Sequence, residues 1–157
     1  MLGTLKPGDV EDFLNTQVVG RIATHADGET YIVPISYAYD GQYIYCHTNE
    51  GKKVSMMRKN PKVCFEVDEL KNMGNWKSVI AQGVFEELKN KEERNAAMYI
   101  LLDRNLPLIS SVTTHLGEQW PFQPKDISEI EGIVFRILIT EKSGRFETNT
   151  KSPEIPG

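Results

Sequence analysis

Alternating or continuous apolar runs, rather than helical spacing, dominate this chain. Val18 to Thr24, Thr30 to Tyr39, Gln42 to Thr48, Val63 to Asp68, Trp76 to Leu88 and Gly132 to Thr140 each predict a strand. Asp27-Gly28 and Asp40-Gly41 separate the first three runs. Asp-Gly between apolar runs is a strong hairpin signal, so these three are expected to form an antiparallel meander. In the second run Tyr31, Val33, Ile35, Tyr37 and Tyr39 share one face, and Ile32, Pro34, Ser36 and Ala38 the other. Proline cannot donate to a ladder, so Pro34 places this strand at an edge or where the sheet opens, with backbone groups free for a ligand. Helical spacing predicts three helices. Asp9 to Leu14 carries Val10, Phe13 and Leu14 on one face with Asp9 as N-cap; Lys52 to Lys59 is stopped by Asn60-Pro61; Lys91 to Leu102 has Ala97, Met98, Leu101 and Leu102 apolar. Asn105 to Asp126, with three prolines, Trp120 and Phe122, reads as a long ordered loop of the kind that is usually functional or covers an interface. Lys151 to Gly157 reads as a flexible tail, leaving residues 1–150 as a single domain. Six short antiparallel strands with few helices predict a mainly β fold, a small barrel with helices packed outside it.

Composition narrows the function. The 157 residues are 39% hydrophobic and 25% charged, ordinary for one globular domain. A net charge of −4, with no basic run longer than Lys52-Lys53, argues against a nucleic-acid surface but permits a small anionic ligand. No apolar stretch is long enough to span a bilayer and the first residues do not read as a signal peptide, so a soluble, cytoplasmic protein is expected. Cys46 and Cys64 lie in apolar contexts and are read as reduced core thiols, with a cross-strand pairing as the alternative. His25, His47 and His115 have no Cys or carboxylate companion at ligand spacing, so no metal site is expected.

The most informative segment runs from Tyr45 to Pro61, from a strand end through a glycine turn into a helix that opens on Lys52 and Lys53. Two lysines there oppose the positive end of the macrodipole and compete with unsatisfied N–H groups. An anion at that end removes the conflict: His47, Thr48, the amides near Gly51 and both ammonium groups would converge on a phosphate. The alternative is a solvated turn with two surface lysines. No Gly-x-Ser-x-Gly elbow, Gly-x-Gly-x-x-Gly or complete P-loop is present, so no catalytic residue can be named, and redox or group-transfer chemistry would come from a bound cofactor.

Arg21-Ile-Ala-Thr24, Ile32-Val-Pro-Ile-Ser-Tyr37, Asp40-Gly-x-Tyr-Ile-Tyr-Cys-His-Thr48, Gly51-Lys-Lys53, Lys59-Asn-Pro-x-Val-Cys-Phe65 and Trp76-Lys-Ser-Val-Ile80 followed by Gly83 occur in that order. Together they resemble the FMN-binding split barrel of the pyridoxamine 5′-phosphate oxidase-like superfamily, and within it the nitroimidazole-resistance (Nim-like) proteins. The resemblance covers roughly residues 10 to 90, with Gly132 to Ile137 and Thr140 to Phe146 also similar. It implies a six-stranded antiparallel split β-barrel and a homodimer with the flavin, FMN or alternatively FAD, in a groove at the subunit interface. By the same resemblance, Val33, Pro34, Ile35 and Ser36 line the ring with their backbone and offer a polar group. His47, Thr48, Lys52 and Lys53 hold the phosphate end, and Ser78 faces the flavin from the long strand. Thr48 and Ser78 as plain sheet hydroxyls and His47 as a half-buried strand residue are the alternatives. Trp76 and Trp120 either stack on the flavin or its substrate, or pack in the core or interface.

The function expected from this resemblance is an FMN-dependent oxidoreductase that takes electrons from an external donor and reduces a small organic molecule, nitro-aromatics among the candidates. The alternatives are a pyridoxamine 5′-phosphate oxidase-like enzyme and a non-catalytic flavin- or haem-binding protein. True pyridoxamine phosphate oxidases resemble one another in a Trp-rich terminal motif. Here Arg136 aligns with a substrate arginine, but the tryptophan before it and the terminal histidine are absent.

Overall fold

The computed structural model describes residues 1–104 and 130–149. The expected 105–126 loop, with His115, Trp120 and Phe122, and the 151–157 tail lie outside the described residues. The mainly antiparallel β class is observed, with eight strands rather than six among the described residues: β1 (Leu2–Thr4), β2 (Val19–Ala26), β3 (Glu29–Ser36), β4 (Ala38–Tyr39), β5 (Tyr43–Thr48), β6 (Lys62–Asn72), β7 (Asn75–Glu87) and β8 (Ile133–Glu147). Three helices accompany them: α1 (Pro7–Thr16), α2 (Lys52–Lys59) and α3 (Lys91–Asp103).

The sheet runs β3-β2-β6-β7-β8-β5-β4, with β1 added to β8. Its two ends, β3 and β4, are consecutive in sequence and separated only by Tyr37. The sheet therefore curls round on itself without a closing ladder. The expected meander does not form as one unit. Both Asp-Gly hairpins are present, β2–β3 through Asp27 (φ 53°) and Gly28 (φ 75°) and β4–β5 through Asp40-Gly41. But the middle strand breaks at Tyr37, whose N–H donates to Val18 O at 2.9 Å and whose hydroxyl donates to Leu14 O at 2.7 Å. These bonds satisfy the backbone locally and let the chain cross from one sheet end to the other. Pro34 lies on β3, an edge strand, as its missing N–H requires.

The inward faces of β2, β6, β7 and β8 bring Ile22, Phe65, Val67, Val79, Ala81, Phe135 and Ile137 into one core, closed at one end by Val10, Phe13 and Leu14 of α1. A second cluster seats Ala97, Met98 and Leu101 of α3 against Tyr45 and Val134. Helix α1 starts earlier than expected. Pro7, with φ preset for a helix, takes the first position and Lys6, not Asp9, is the N-cap residue; Asp9 sits in the first turn, where a carboxylate favours the dipole. Strand β8 extends seven residues past its apolar run. That polar half pairs with β7 on one side and β1 on the other, so ladder bonds rather than burial hold it. Cys46 on β5 and Cys64 on β6 are separated by β7 and β8, and both thiols are free.

Candidate functional site

Helix α2 spans Lys52–Lys59 as the sequence predicts, and the conflict at its start is real. Gly51 caps it without a side-chain hydrogen bond and no acid lies in the first turn, while Arg58 and Lys59 suit the C-terminal end. Val54 and Met57 anchor the helix in the core, and Met56 meets the Thr24 hydroxyl at 3.6 Å. The two lysines do not share a role. Lys52, half-exposed, pairs with the Glu29 carboxylate at the start of β3 and lies 5.0 Å over the Tyr31 ring. Lys53 turns inward. Burial pulls its ammonium below the usual lysine range, the Cys46 thiol alone opposes that shift, and among the described residues it makes no ion pair or hydrogen bond.

His47 is half-buried near the end of β5, and its ring donates Nε2–H to the Glu131 carbonyl at 2.6 Å, because a carbonyl can only accept. Gly132 makes that approach possible: its φ is 102°, and a Cβ there would stand 2.8 Å from His47 Nε2 and 2.8 Å from Thr48 O. Thr48 ends β5 opposite Ile133, partly exposed. Arg94 of α3 braces the same segment by donating to the Ile130 and Gly132 carbonyls. An open groove of about 590 Å³ lies here, bounded by Lys91, Arg94, Asn95, Glu131 and Gly132.

Burial pushes the His47 pKa below its ordinary value; the bond to Glu131 resists, and the charges of Arg94 and Arg104 add to the depression. Between the folded value and about 6.5 the unfolded chain binds a proton that the folded chain refuses. Stability should therefore fall as pH drops through about 6.5 and level off below the folded pKa. Urea midpoints taken between about pH 7.5 and about pH 5.5 should show this slope, and His47→Gln, which keeps an N–H donor, should flatten it. An unchanged slope would assign it to other groups.

The remaining expected positions are more dispersed. Val33 packs against the core and Ile35 is buried, whereas Pro34 and Ser36 face outward opposite Arg21 and Val19. Only the backbone edge of β3 is common to all four. Ser78 also faces outward, in the first third of β7, and donates to Glu66 Oε1 at 3.3 Å; Arg21 Nη1 bridges Glu66 at 3.3 Å and Asp68 at 3.1 Å. Trp76 Nε1 donates to Glu147 at 2.9 Å, a structural use within the β7–β8 ladder. Arg136 is committed to Glu86 at 2.8 Å and stacks 4.2 Å from the Tyr43 ring centre.

The sequence does not single out Arg104, which follows α3. Its Nε and Nη1 are buried and find no acceptor among the described residues. Burial holds its guanidinium below the ordinary arginine range, opposed by the Cys46 thiol, so Arg104 and Lys53 both lie within electrostatic reach of that residue. A lone arginine next to a proline-rich stretch carries no periodic or motif signal.

The family model described as pyridoxamine 5′-phosphate oxidase matches residues 6–146. An uncharacterized protein of Rhizobium meliloti (strain 1021) is 41% identical over 70 residues, 45% of this chain and 46% of that protein, so the match spans about half its length. The structure of a Mesorhizobium loti FAD-binding protein superposes with a TM-score of 0.72 at 34% identity, covering 94% of this chain and 99% of that one. A candidate 5-nitroimidazole antibiotic resistance protein of Bacteroides thetaiotaomicron has the same fold, with a TM-score of 0.66 at 16% identity over 93% of this chain and 89% of that one.

Proposed function

We propose that this chain, which belongs to the pyridoxamine 5′-phosphate oxidase family, is a flavin-dependent oxidoreductase that passes electrons from an external donor to a small organic acceptor, nitro-aromatics included. The observation that carries this reading is the uncapped start of α2 with Lys53 partly buried beside it and unpaired among the described residues. Buried cations are normally paired, and helix N-termini favour anions, so the arrangement fits a phosphate. The Mesorhizobium relative, alike over nearly the whole chain and described as FAD-binding, makes a flavin the natural owner of that phosphate. FMN is the form proposed, since among the described residues one helix start, that of α2, lacks both a capping side chain and a first-turn acid, and one phosphate matches it.

In this reading Lys53 and the α2 amides bind the phosphate, His47 and Thr48 border it, and the β3 edge from Val33 to Ser36 lies along the ring. Lys52 joins only by releasing Glu29. Ser78, on the outward sheet face, offers a hydroxyl to the ring. When bound, the flavin supplies the hydride and electron chemistry; the chain binds it, orients it and excludes water. Oxidation of pyridoxamine 5′-phosphate is disfavoured because Arg136, the arginine aligned with that substrate's phosphate, is engaged by Glu86 and Tyr43.

The purified protein should show flavin absorption bands, with the extracted cofactor's mass separating FMN from FAD. Under anaerobic conditions NAD(P)H should bleach those bands and a nitro-aromatic acceptor restore them. A protein that binds neither FMN nor FAD after reconstitution refutes the proposal; one that binds flavin but never cycles is a carrier.

A homodimer belongs to the same reading. The outward sheet face carries Val19, Pro34, Val84, Ile32 at 59% exposure and Ile80 at 44%, a run of apolar groups that a second copy would cover. Sedimentation at micromolar concentration should give a dimer, and Ile32→Glu with Ile80→Glu should give a folded monomer. A wild-type monomer with flavin bound would remove the shared-groove arrangement.

A further inference from the structure

We infer that the groove between the first two turns of α3 and residues 130–132 is a binding site of its own, for a small molecule that carries a phosphate and hydroxyl groups, as sugar phosphates and nucleotides do. It stands apart from the flavin reading, because none of its lining residues belongs to α2, β3 or β7. Helix α3 packs through Ala97, Met98 and Leu101. Carried toward the N-terminus at spacings of three and four, the stripe of Leu101 and Met98 meets Arg94, Asn95 and then Lys91. A helix that only had to pack would continue that stripe with apolar residues. Here it turns cationic and polar where it faces a groove of about 590 Å³.

The groups on this face have unused bonding capacity. The Asn95 amide oxygen is buried and accepts no hydrogen bond among the described residues, which is costly unless a donor is supplied. Arg94 uses Nη2 on the Ile130 and Gly132 carbonyls, and no acceptor among the described residues meets its Nε or Nη1. Lys91 makes no ion pair among the described residues, and Lys89 makes only a loose one, 3.7 Å from Glu87. Glu131 is the one carboxylate in the lining, and the neighbouring Glu92 and Glu93 do not reach it. Three cations thus face one acid in a concave surface, on a chain whose net charge is −4. Such a concentration of one sign draws an anion to the groove. The amides of the helix start are not the attraction, because Asn90 already accepts from the Glu92 and Glu93 N–H groups. Lys91 and Arg94, one turn apart, suit two oxygens of one phosphate. The Asn95 oxygen and the Glu131 carboxylate are acceptors, which ligand hydroxyls satisfy and a second phosphate would not. The volume is that of a small-molecule site, well beyond what a bare phosphate ion fills.

The probe is ribose 5-phosphate titrated calorimetrically into the full chain, with ribose, inorganic phosphate and adenosine 5′-monophosphate as comparisons. Ribose 5-phosphate should bind about tenfold or more tightly than either ribose or inorganic phosphate. Lys91→Glu should weaken it by about tenfold or more; the residue is exposed and a glutamate suits a first helical turn, so this variant folds. Asn95→Ala should weaken ribose 5-phosphate about fivefold and inorganic phosphate less than about twofold, a split that a general field effect would not produce. Lys53→Ala should leave the affinity within about twofold, which separates this groove from the start of α2. Tighter binding of adenosine 5′-monophosphate than of ribose 5-phosphate assigns the site to nucleotides, and the reverse order assigns it to sugar phosphates. A second readout comes from His47, whose Nε2–H bonds the carbonyl of Glu131 on the groove wall. Its imidazole resonances should shift on saturation in wild type and stay in place in Lys91→Glu. No saturable binding of either phosphate ester, equal binding by wild type and Lys91→Glu, or binding that leaves His47 unmoved overturns the inference.

Discussion

Phe65→Ala is expected to remove about 3–5 kcal/mol of folding stability, the upper end of what truncating one core side chain costs. The ring is fully buried in the first half of β6 and meets Tyr37 edge-on, with centroids 5.0 Å apart and planes at 73°. On its other side lies Gly20, where a Cβ would come within 2.4 Å of Phe65 Cζ, so the backbone of β2 is already as close as a side chain would be. A hole left by the ring is therefore walled by a strand backbone and by the Tyr37 seam, neither of which can collapse inward cheaply. Measured against a typical domain stability of about 5–15 kcal/mol, the loss is about a fifth of the total or more. Urea unfolding should show a lower midpoint with an unchanged slope. A loss under about 1.5 kcal/mol would mean that the core repacks around the site.

Lys53→Ala should weaken FMN by about 10- to 150-fold, the loss of a charge-assisted contact of about 1.5–3 kcal/mol, and leave riboflavin nearly untouched because it lacks the phosphate. The flavin-free variant should fold at least as well as wild type, since the ammonium it removes is partly desolvated and has no partner among the described residues. Lys52→Ala should cost FMN less than about fivefold, as its exposed ammonium is shared with Glu29. Fluorescence titration of both flavins against both variants measures all four numbers. Equal loss of FMN and riboflavin in Lys53→Ala would make the lysine a support for the fold, and no loss would return the pair to ordinary surface residues.

Elements whose cause is local were readable in the sequence. Helix α2 has the predicted bounds, because Gly51 and Asn60-Pro61 punctuate it chemically. Both Asp-Gly hairpins form, because Asp27, Gly28 and Gly41 take the positive φ that such turns require. The misreadings share one cause: a partner distant in sequence. Tyr37 carries the same alternation as its neighbours, yet its bonds to Leu14 and Val18 decide that the strand breaks there. The polar half of β8 and the whole of β1 are held by each other and by β7, which no apolar periodicity reports. At the candidate site the dipole argument located the lysine pair, but the pair's division of labour depends on Glu29, 23 positions away from Lys52. Arg104 was invisible because no motif or period reports two buried nitrogens that find no acceptor among the described residues.

Strand β8 has a consequence for how the chain comes into being. It leaves the ribosome after every strand it pairs with, yet β1, β5 and β7 all bond to it. Until residue 147 is free, the nascent protein consists of one half-sheet of β3, β2, β6 and β7 and a separate β4–β5 hairpin, with the open edge of β7 exposed to its neighbours on the polysome. Completion is a single late event in which one strand slides between two waiting edges. Chaperone demand during synthesis should be concentrated in the interval between β7 and β8, when that apolar edge is longest and least protected.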